Sequence, residues 1–400
     1  MQGLDYLKEL TRSPIPKELA FSVDEYQGRV AKVRAEMETS GLDALLITFL
    51  PNLYYLAGYN TYAVARPACL LLPLHGPLKI HIASMEIPAA LLTGWVEDID
   101  VHDWNELGGL ADRLASSVKS LGLENKRIGL EFKRPSLSID FCDTLRRVLP
   151  GAQFEDASDL LFRVRLIKSP TELQYIRQAA RITLAGIRAS FETIAPGKTD
   201  NDVARAGYDG MIKAGSEYLS SVPTVTTGHR SGWSHTTFKR FPLKIGDTVF
   251  LEYGGCYQRY TATLMRTAVI GNPSPEVRRI ADAAKETVRL IIENVKPGRT
   301  GDDVARAARG GHASVNSEVY FQEVYGESVG LGFPPTAVEG LRLIAPGFLQ
   351  VLEPGMTFHL PVALRVPGKF CVGLSEMIAV TETGCEVLTE EKRDLVVIPA

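Results

Sequence analysis

The 400-residue sequence lacks the features that define several large classes of protein. No uninterrupted apolar run is long enough to cross a membrane, and the first residues lack the order of basic, apolar and small residues that marks a signal peptide. With 44 basic and 47 acidic residues the formal net charge is −3, so electrostatics give no reason to expect nucleic acid as a partner. We therefore expect a cytoplasmic protein that binds neither membranes nor nucleic acid.

Cysteine is also scarce. The five cysteines are scattered along the chain and form no C-x-x-C pair. An odd, unclustered set predicts neither a disulfide framework nor a zinc ribbon, and it fits a reducing compartment. Otherwise the composition is that of an ordinary globular chain, at 45% hydrophobic and 23% charged residues, and the length is sufficient for two domains with real cores.

The first 160 residues alternate between helical and strand-like patterns. We predict buried strands at residues 44–50, 68–74, 78–83 and 127–132, and helices near residues 107–121 and 137–148. Ser169, Pro170 and Glu172 then supply an N-cap, a first-turn proline and a capping-box acid, which together indicate a new helix. These patterns predict an α/β domain over residues 1–160 and a second domain over residues 161–400.

The second domain contains an internal repeat. Residues 196–206, PGKTDNDVARA, recur as residues 297–307, PGRTGDDVARA, with eight identities in eleven positions. A Pro-Gly turn followed by T-x-x-D is a common way to start a helix, and this alone could explain a short match. The number of identities favours a structural duplication, in which two α/β halves enclose a site between them.

Residues 246–267, GDTVFLEYGGCYQRYTATLMRT, have the outline of a metal-binding hairpin without its ligands. They resemble the GD-x-V-x-x-D-x-G … Y-x-x-D-x-x-R-T segment of the methionine aminopeptidase, prolidase and creatinase superfamily, in which two aspartates hold a dinuclear metal site. Glu252 and Thr263 occupy the two aspartate positions here. The resemblance implies an N-terminal creatinase-like α/β domain and a pita-bread catalytic domain with an internal pseudo-twofold.

The remaining metal positions of the superfamily are also altered. Residues 326–330 resemble its G-H-G-I-G segment and put Glu327 in place of the histidine, and Pro361 stands where its E-P-G segment has glutamate. The last ligand is matched by Glu376. Because a tight catalytic site needs three or four converging protein ligands, we expect a site without metal and without any other cofactor.

Three further residues follow from the resemblance: His235, Arg66 and Arg342. His235 matches the histidine that acts as acid and base in creatinase, and with Glu252 it forms the predicted catalytic pair. Arg66 matches an arginine that reaches the neighbouring subunit's site and binds the substrate carboxylate, which implies a homodimer with shared sites. Arg342 loosely matches a second carboxylate-binding arginine.

Glu327 and Glu376 would bind a cationic part of the substrate, whereas His229, His312 and His359 are expected to be structural or rim residues.

Two alternatives concern individual residues. Glu252 follows a buried apolar run, so it could instead form an internal salt bridge with Arg259 or Arg266. Residues 326–330, GESVG, also spell the G-x-S-x-G nucleophile elbow, which requires a helix directly after the serine. Glycines and the pair Pro334 and Pro335 follow instead, so we reject a serine nucleophile.

The choice of branch rests on longer matches. Residues 250–260, FLEYGGCYQRY, resemble F-x-E-x-x-G-C-Y-x-R-Y of ectoine hydrolases, and residues 352–359, LEPGMTFH, resemble L-x-P-G-M-T-F-H of the same enzymes. Creatinases, the next candidates, have a glutamate where this chain has Met265 and an asparagine at the position of Glu252. The resemblance implies a metal-independent hydrolase that cleaves a C–N bond of a small carboxylate bearing an amidine or guanidine-like group.

The mechanism implied by the resemblance leaves one choice open. Glu252 would either attack the amidine carbon or act as general base for water, and His235 would shuttle protons in both cases. A creatinase-like amidinohydrolase and a non-catalytic binding protein of the same fold are the alternatives, discriminated by metal analysis together with a screen of cyclic and linear amidines. A metal-dependent Xaa-Pro peptidase would need the ligands that are missing.

Overall fold

The computed structural model describes residues 3–12, 16–106 and 109–400. The chain divides into two units, Met1–Arg165 and Leu166–Ala400. The boundary predicted from the sequence, between residues 160 and 161, lies in the first turn of the short helix Leu160–Leu166, five residues before this division. No helix within the described ranges is long and apolar enough to cross a bilayer.

The N-terminal unit is an α/β unit built on one mixed sheet. Its helices are α1 Gly3–Thr11, α2 Val23–Ser40, α3 Leu50–Ala57, α4 Ile87–Thr93, α5 Gly109–Ser120, α6 Ile139–Val148 and α7 Leu160–Leu166. Its strands are β1 Ala44–Ile47, β2 Cys69–Pro73, β3 Lys79–Ala83, β4 Ile99–His102, β5 Arg127–Leu130 and β6 Gln153–Asp156. The strand order is β4-β3-β2-β1-β5-β6, with the β1–β2 and β2–β3 pairs antiparallel and the others parallel.

The four predicted strands of this unit are all present, and the first is shortened the most. The strand predicted at residues 44–50 ends at Ile47, and α3 begins at Leu50. An apolar run cannot by itself distinguish a buried strand from a buried helix, and Pro51 in the first turn favours the helix. The predicted helix near residues 107–121 corresponds to α5, although residues 107 and 108 lie outside the described ranges.

The C-terminal unit combines long helices with an extended sheet. Its helices are α8 Pro170–Thr193, α9 Asp200–Lys213, α10 Pro275–Asn294 and α11 Gly301–Ala308. Its strands are β7 Thr224–Thr227, β8 Thr248–Tyr257, β9 Tyr260–Ile270, β10 Gly326–Phe333, β11 Thr336–Ile344, β12 Thr357–His359, β13 Val362–Val366, β14 Phe370–Leu374, β15 Met377–Val380, β16 Cys385–Val387 and β17 Val396–Ile398. The main sheet runs β16-β15-β12-β10-β9-β8-β7, while β13 and β14 form a separate ribbon.

The internal repeat marks equivalent positions in the two halves of this unit. Thr199 and Thr300 cap α9 and α11 with complete capping boxes, in which the side chains of Asp202 and Asp303 return to the cap backbone. The preceding turns are tied down in the same way in each half, because Gly197 N–H donates to Leu243 O and Gly298 N–H donates to Leu352 O. The shared hydrogen bonds, made by segments about a hundred residues apart, support the predicted duplication.

Candidate active site

Glu252 lies in the middle of β8, opposite Met265 of β9 and Thr224 of β7. It is half-buried, and its carboxylate accepts no hydrogen bond from any described part of the chain. Burial raises the pKa of this carboxyl above its ordinary value, and the neighbouring Glu327 adds to that rise. His359 acts in the opposite direction, as do Arg365 and His235. Glu252 is therefore a carboxyl that is costly to ionise and still available for chemistry.

The alternative in which Glu252 pairs with Arg259 or Arg266 is wrong. Arg259 donates to Tyr218 O, Ser220 Oγ and Gly332 O, at 2.5, 3.2 and 2.8 Å. Arg266 donates to the backbone of Met265 and Ser375 and to the carboxylate of Glu376. Both guanidinium groups therefore bond to other partners and form no salt bridge with Glu252.

Glu327 is held by a hydrogen-bonded chain of side chains. The β10–β12 pairing sets it opposite His359, whose Nδ1 lies 3.1 Å from Glu327 Oε1. His359 Nε2 lies 2.8 Å from Ser375 Oγ, which also accepts the backbone N–H of Met265 at 2.6 Å. Because Ser375 Oγ accepts from Met265, its own hydroxyl proton is available to His359 Nε2, and a proton on Nδ1 of the imidazole would donate to Glu327.

The series Ser375, His359 and Glu327 has the connectivity of a serine-hydrolase triad. A nucleophile must be reachable, and Ser375 is 0% exposed whereas the Glu327 side chain is 26% exposed. The chain therefore orients the carboxylate of Glu327 towards accessible space, with Ser375 as its buried anchor. The rejection of Ser328 as a nucleophile is also consistent with the structure, because residues 326–330 lie within β10, which continues into a hairpin with β11 and not into a helix.

Glu376 belongs to a different network. Its Oε1 accepts from Arg266 Nη2 at 2.9 Å and from Arg393 Nε at 3.0 Å, and its Oε2 accepts from Thr389 Oγ1 at 2.6 Å. The structure brings Glu327 within electrostatic range of Glu252, whereas the carboxylate of Glu376 bonds to Arg266, Arg393 and Thr389. Its predicted role in substrate binding remains a prediction.

The donor chemistry does not fit the dinuclear metal site that the superfamily implies. Thr263 offers a hydroxyl, Pro361 offers no side-chain donor, and one oxygen of Glu327 is already bonded to His359. Within the described ranges, no group of three or more His, Cys, Asp or Glu side chains could hold a metal ion. The carboxylates of Glu252 and Glu327 remain, and two carboxylates are fewer than the oxygen and nitrogen ligands that divalent ions require.

His235 lies in the turn that precedes β8. It has a left-handed backbone conformation, φ 57°, and its side chain is exposed. It is close enough to Glu252 to lower the pKa of that carboxyl. The two residues that were predicted to be catalytic therefore interact electrostatically, with His235 on the solvent side.

The two predicted carboxylate-binding arginines lie on other elements of the fold. Arg66 is in the N-terminal unit, in the segment before β2, and its guanidinium carbon lies 3.7 Å from the ring centroid of Trp104. Arg342 is on β11, and its side chain lies outside the described part of the chain. Both substrate-binding roles stay predictions.

The sequence did not reveal that Arg365 and His359 lower the pKa of Glu252, or that Ser375 bonds to His359. Of the histidines expected to be structural, His312 is confirmed in that role, with its ring nitrogens bonded to Asn316 and Tyr325. His359 instead contacts Glu327. Its sequence signal was its place in the LEPGMTFH match, but only the pairing of β10 with β12 reveals the contact.

Comparison with known proteins agrees with this architecture. Residues 174–382 match the metallopeptidase family M24, and residues 29–167 match the creatinase/prolidase N-terminal domain. The ectoine hydrolase of Halomonas elongata is 31% identical over 402 residues, which cover 95% of this chain and 98% of that protein. The Xaa-Pro dipeptidase of Pyrococcus horikoshii is 26% identical over 94% of this chain and 100% of that protein.

The solved structure of dipeptidase PepE from Mycobacterium ulcerans is similar with a TM-score of 0.82 and 25% identity, over 95% of this chain and 100% of that one. The prediction of a creatinase-like N-terminal domain followed by a pita-bread catalytic domain is therefore confirmed.

Proposed function

Because the chain belongs to metallopeptidase family M24, and is a hydrolase of that family, we propose that it cleaves a C–N bond of a small amidine without using a metal. The substrate would be a carboxylate that bears an amidine or guanidine-like group, as in ectoine. One observation carries the proposal: an unbonded carboxyl with a raised pKa, Glu252, lies beside a fixed carboxylate, Glu327, where the family's metal ligands are lost.

The amidinium group suits this pair of carboxylates. Two carboxylates close together repel each other unless they share a proton or meet a cation. A bound amidinium would relieve that repulsion and would hold its central carbon near Glu252. The His359 and Ser375 chain would keep Glu327 in place while the substrate binds.

In the proposed reaction, Glu252 is the nucleophile. A carboxylate oxygen of Glu252 adds to the amidine carbon, and one C–N bond breaks as its nitrogen takes a proton delivered by His235. Water then adds to the same carbon, His235 accepts a proton, and the bond to Glu252 breaks to leave an amide and a free amine. In the alternative, Glu252 takes the proton from water and no covalent bond to the protein forms.

A product screen tests the reaction class. We expect turnover of ectoine first and creatine second, with the ring-opened amide or the urea product identified by NMR. If Glu252 is the nucleophile, protein quenched during turnover should carry a substrate-sized adduct on the peptide containing Glu252. Hydrolysis of Xaa-Pro dipeptides with no turnover of any amidine would contradict the proposal and would favour the activity named for the dipeptidase relatives. A lack of activity on every compound would favour a binding protein.

We extend the proposal to a homodimer with shared sites, by resemblance to creatinases. In this arrangement Arg66 of the partner subunit completes each active site. Mixing inactive Arg66→Ala with inactive His235→Ala should restore part of the activity through hybrid dimers, in which one site has both residues. Equal inactivity of the mixture after proven subunit exchange, or an active monomer, would contradict the shared site.

A further inference from the structure

The guanidinium of Arg365 makes few hydrogen bonds for a half-buried group. Arg365 lies on β13, where its backbone pairs with Cys371 of β14. Its Nε is buried without a hydrogen-bond partner, and the one side-chain hydrogen bond of Arg365 in the described structure is a long one, 3.3 Å from Nη1 to Ala363 O. A guanidinium has five N–H donors, and leaving them unsatisfied in a partly buried position is costly.

The location of this guanidinium ties it to the active site. Its central carbon lies 6.0 Å from the ring centroid of Phe250. Phe250 and Glu252 are two residues apart on β8, so their side chains lie on the same face of the strand. Arg365 lowers the pKa of the Glu252 carboxyl, yet the two form no ion pair within the described part of the chain. The arginine is therefore near the reactive carboxyl and still able to bind a ligand.

A carboxylate is the ligand that best fits such a group. The planar guanidinium presents paired donors that match the two oxygens of a carboxylate. Glu252, on which the charges of Arg365 and Glu327 act, and Glu327 itself offer negative charge for a cation. A ligand bound by the arginine and by the two glutamates must carry both a carboxylate and a cationic group.

We propose that Arg365 is the residue of this pocket that binds the substrate carboxylate, and that the pocket selects small zwitterions. The inference rests on the proposed function for the location of the site, and it names a residue on the same chain as Glu252. It predicts that the carboxylate of the substrate contributes strongly to binding even when the partner subunit's Arg66 is absent.

Two matched pairs of ligands test this selection by isothermal titration calorimetry. The first pair is ectoine and its carboxamide, and the second is glycyl-proline and glycyl-prolinamide. Wild-type protein should bind the carboxylate member of at least one pair roughly ten- to a hundredfold more tightly than the amide member. Arg365→Met should lose most of this preference, with the amide affinity unchanged from wild type, and combining it with Arg66→Ala should remove the rest. Arg365→Lys should keep part of the preference.

Lys369→Met is the matched control. Lys369 lies in the turn of the same ribbon, its side chain is 65% exposed, and it pairs with Glu276 at 3.6 Å. Removing its charge should leave the carboxylate preference intact. An undiminished preference in Arg365→Met, an equal loss for both members, or no preference in wild type would overturn the inference.

The same experiment separates this inference from the proposed function. A preference that appears only in the dipeptide pair, and that depends on Arg365, would support carboxylate binding by Arg365 and contradict amidine hydrolysis. Binding of ectoine without turnover would have the same meaning. Circular dichroism and thermal melting of each variant should match wild type, which excludes unfolding as the cause of lost binding.

Discussion

Glu252 and Glu376 are two glutamates of one catalytic unit with opposite surroundings. Glu376 is fully buried, and its oxygens accept bonds from Arg266, Arg393 and Thr389. Glu252 is half-buried, accepts no hydrogen bond in the described structure, and has a raised pKa. The first arrangement lowers the energy of a buried charge, whereas the second leaves a carboxyl poised to react.

The comparison separates sequence position from chemical role. By its place in the chain, Glu376 matched a metal ligand of the superfamily and Glu252 was a substitution at another. In the structure, Glu376 belongs to an ion-pair network with Arg266 and Arg393, whereas Glu252 accepts no hydrogen bond from the described residues. A carboxylate's hydrogen-bond partners therefore decide its role more directly than its alignment does.

The largest effect should come from removing the buried charge of Glu376. Glu376→Gln leaves Arg266 buried without its counter-charge, and breaking a buried ion pair on one side costs about 3–5 kcal/mol. We expect a loss of about 3 kcal/mol in the urea unfolding transition of the C-terminal unit, since amide oxygen can still accept one bond. Glu386→Gln, which removes a partly exposed partner of Arg177, should cost less than about 1 kcal/mol. Equal costs for the two variants would show that the buried network does not stabilise the fold.

The next largest effect concerns catalysis by Glu252. Glu252→Gln keeps the shape of the side chain and removes its charge, so it should cost at least about 3 kcal/mol of transition-state stabilisation, or a hundredfold or more in rate. Steady-state kinetics on the substrate found by the product screen provide the measurement, with Glu386→Gln as the control that keeps full activity. Wild-type rates in Glu252→Gln would end the catalytic assignment.

A smaller effect of the same variant should appear in stability and should depend on pH. Because the folded state raises the pKa of Glu252, it binds more protons than the unfolded state between the ordinary and the folded pKa. Stability contributed by this group is therefore highest at acidic pH and falls as pH rises through that window.

At about pH 8, Glu252→Gln should be more stable than wild type by about 1 kcal/mol, a typical gain when a strained functional group is removed. The difference should vanish below about pH 4, where the carboxyl is protonated in both states. Urea unfolding at the two pH values provides the test. A variant that is less stable than wild type at neutral pH would mean that Glu252 is a structural carboxylate like Glu376.

Much of the fold was readable from local sequence. The starts of α8, α9 and α11 follow from capping residues that act within one turn, and the structure has all three caps. The duplication was visible because its segments retained the residues that form the turns. The end of β1 was missed because the apolar run continues unbroken into α3.

The candidate site could be only partly predicted from the sequence, because some of its contacts join residues far apart along the chain. Glu252 and His235 come from neighbouring segments of the resemblance, and His235 lowers the pKa of Glu252 in the structure. The contact of Glu327 with His359 depends on pairing between strands 32 residues apart. Ser375 and Glu376 differ by one position, yet Ser375 bonds to His359 whereas Glu376 bonds to Arg266, Arg393 and Thr389. No local pattern distinguishes these two sets of partners.

The central claim is that this M24 hydrolase works through Glu252 without a metal, and chelation tests it most directly. Protein dialysed against a chelator is analysed for metal content and then assayed on ectoine, or on the substrate that replaces it in the product screen, beside Glu252→Gln in the same buffer. We predict no stoichiometric transition metal, an undiminished rate for wild type, and loss of that rate in the variant. One or two metal ions per chain, with activity lost on chelation and restored by Mn²⁺ or Co²⁺, would contradict the claim.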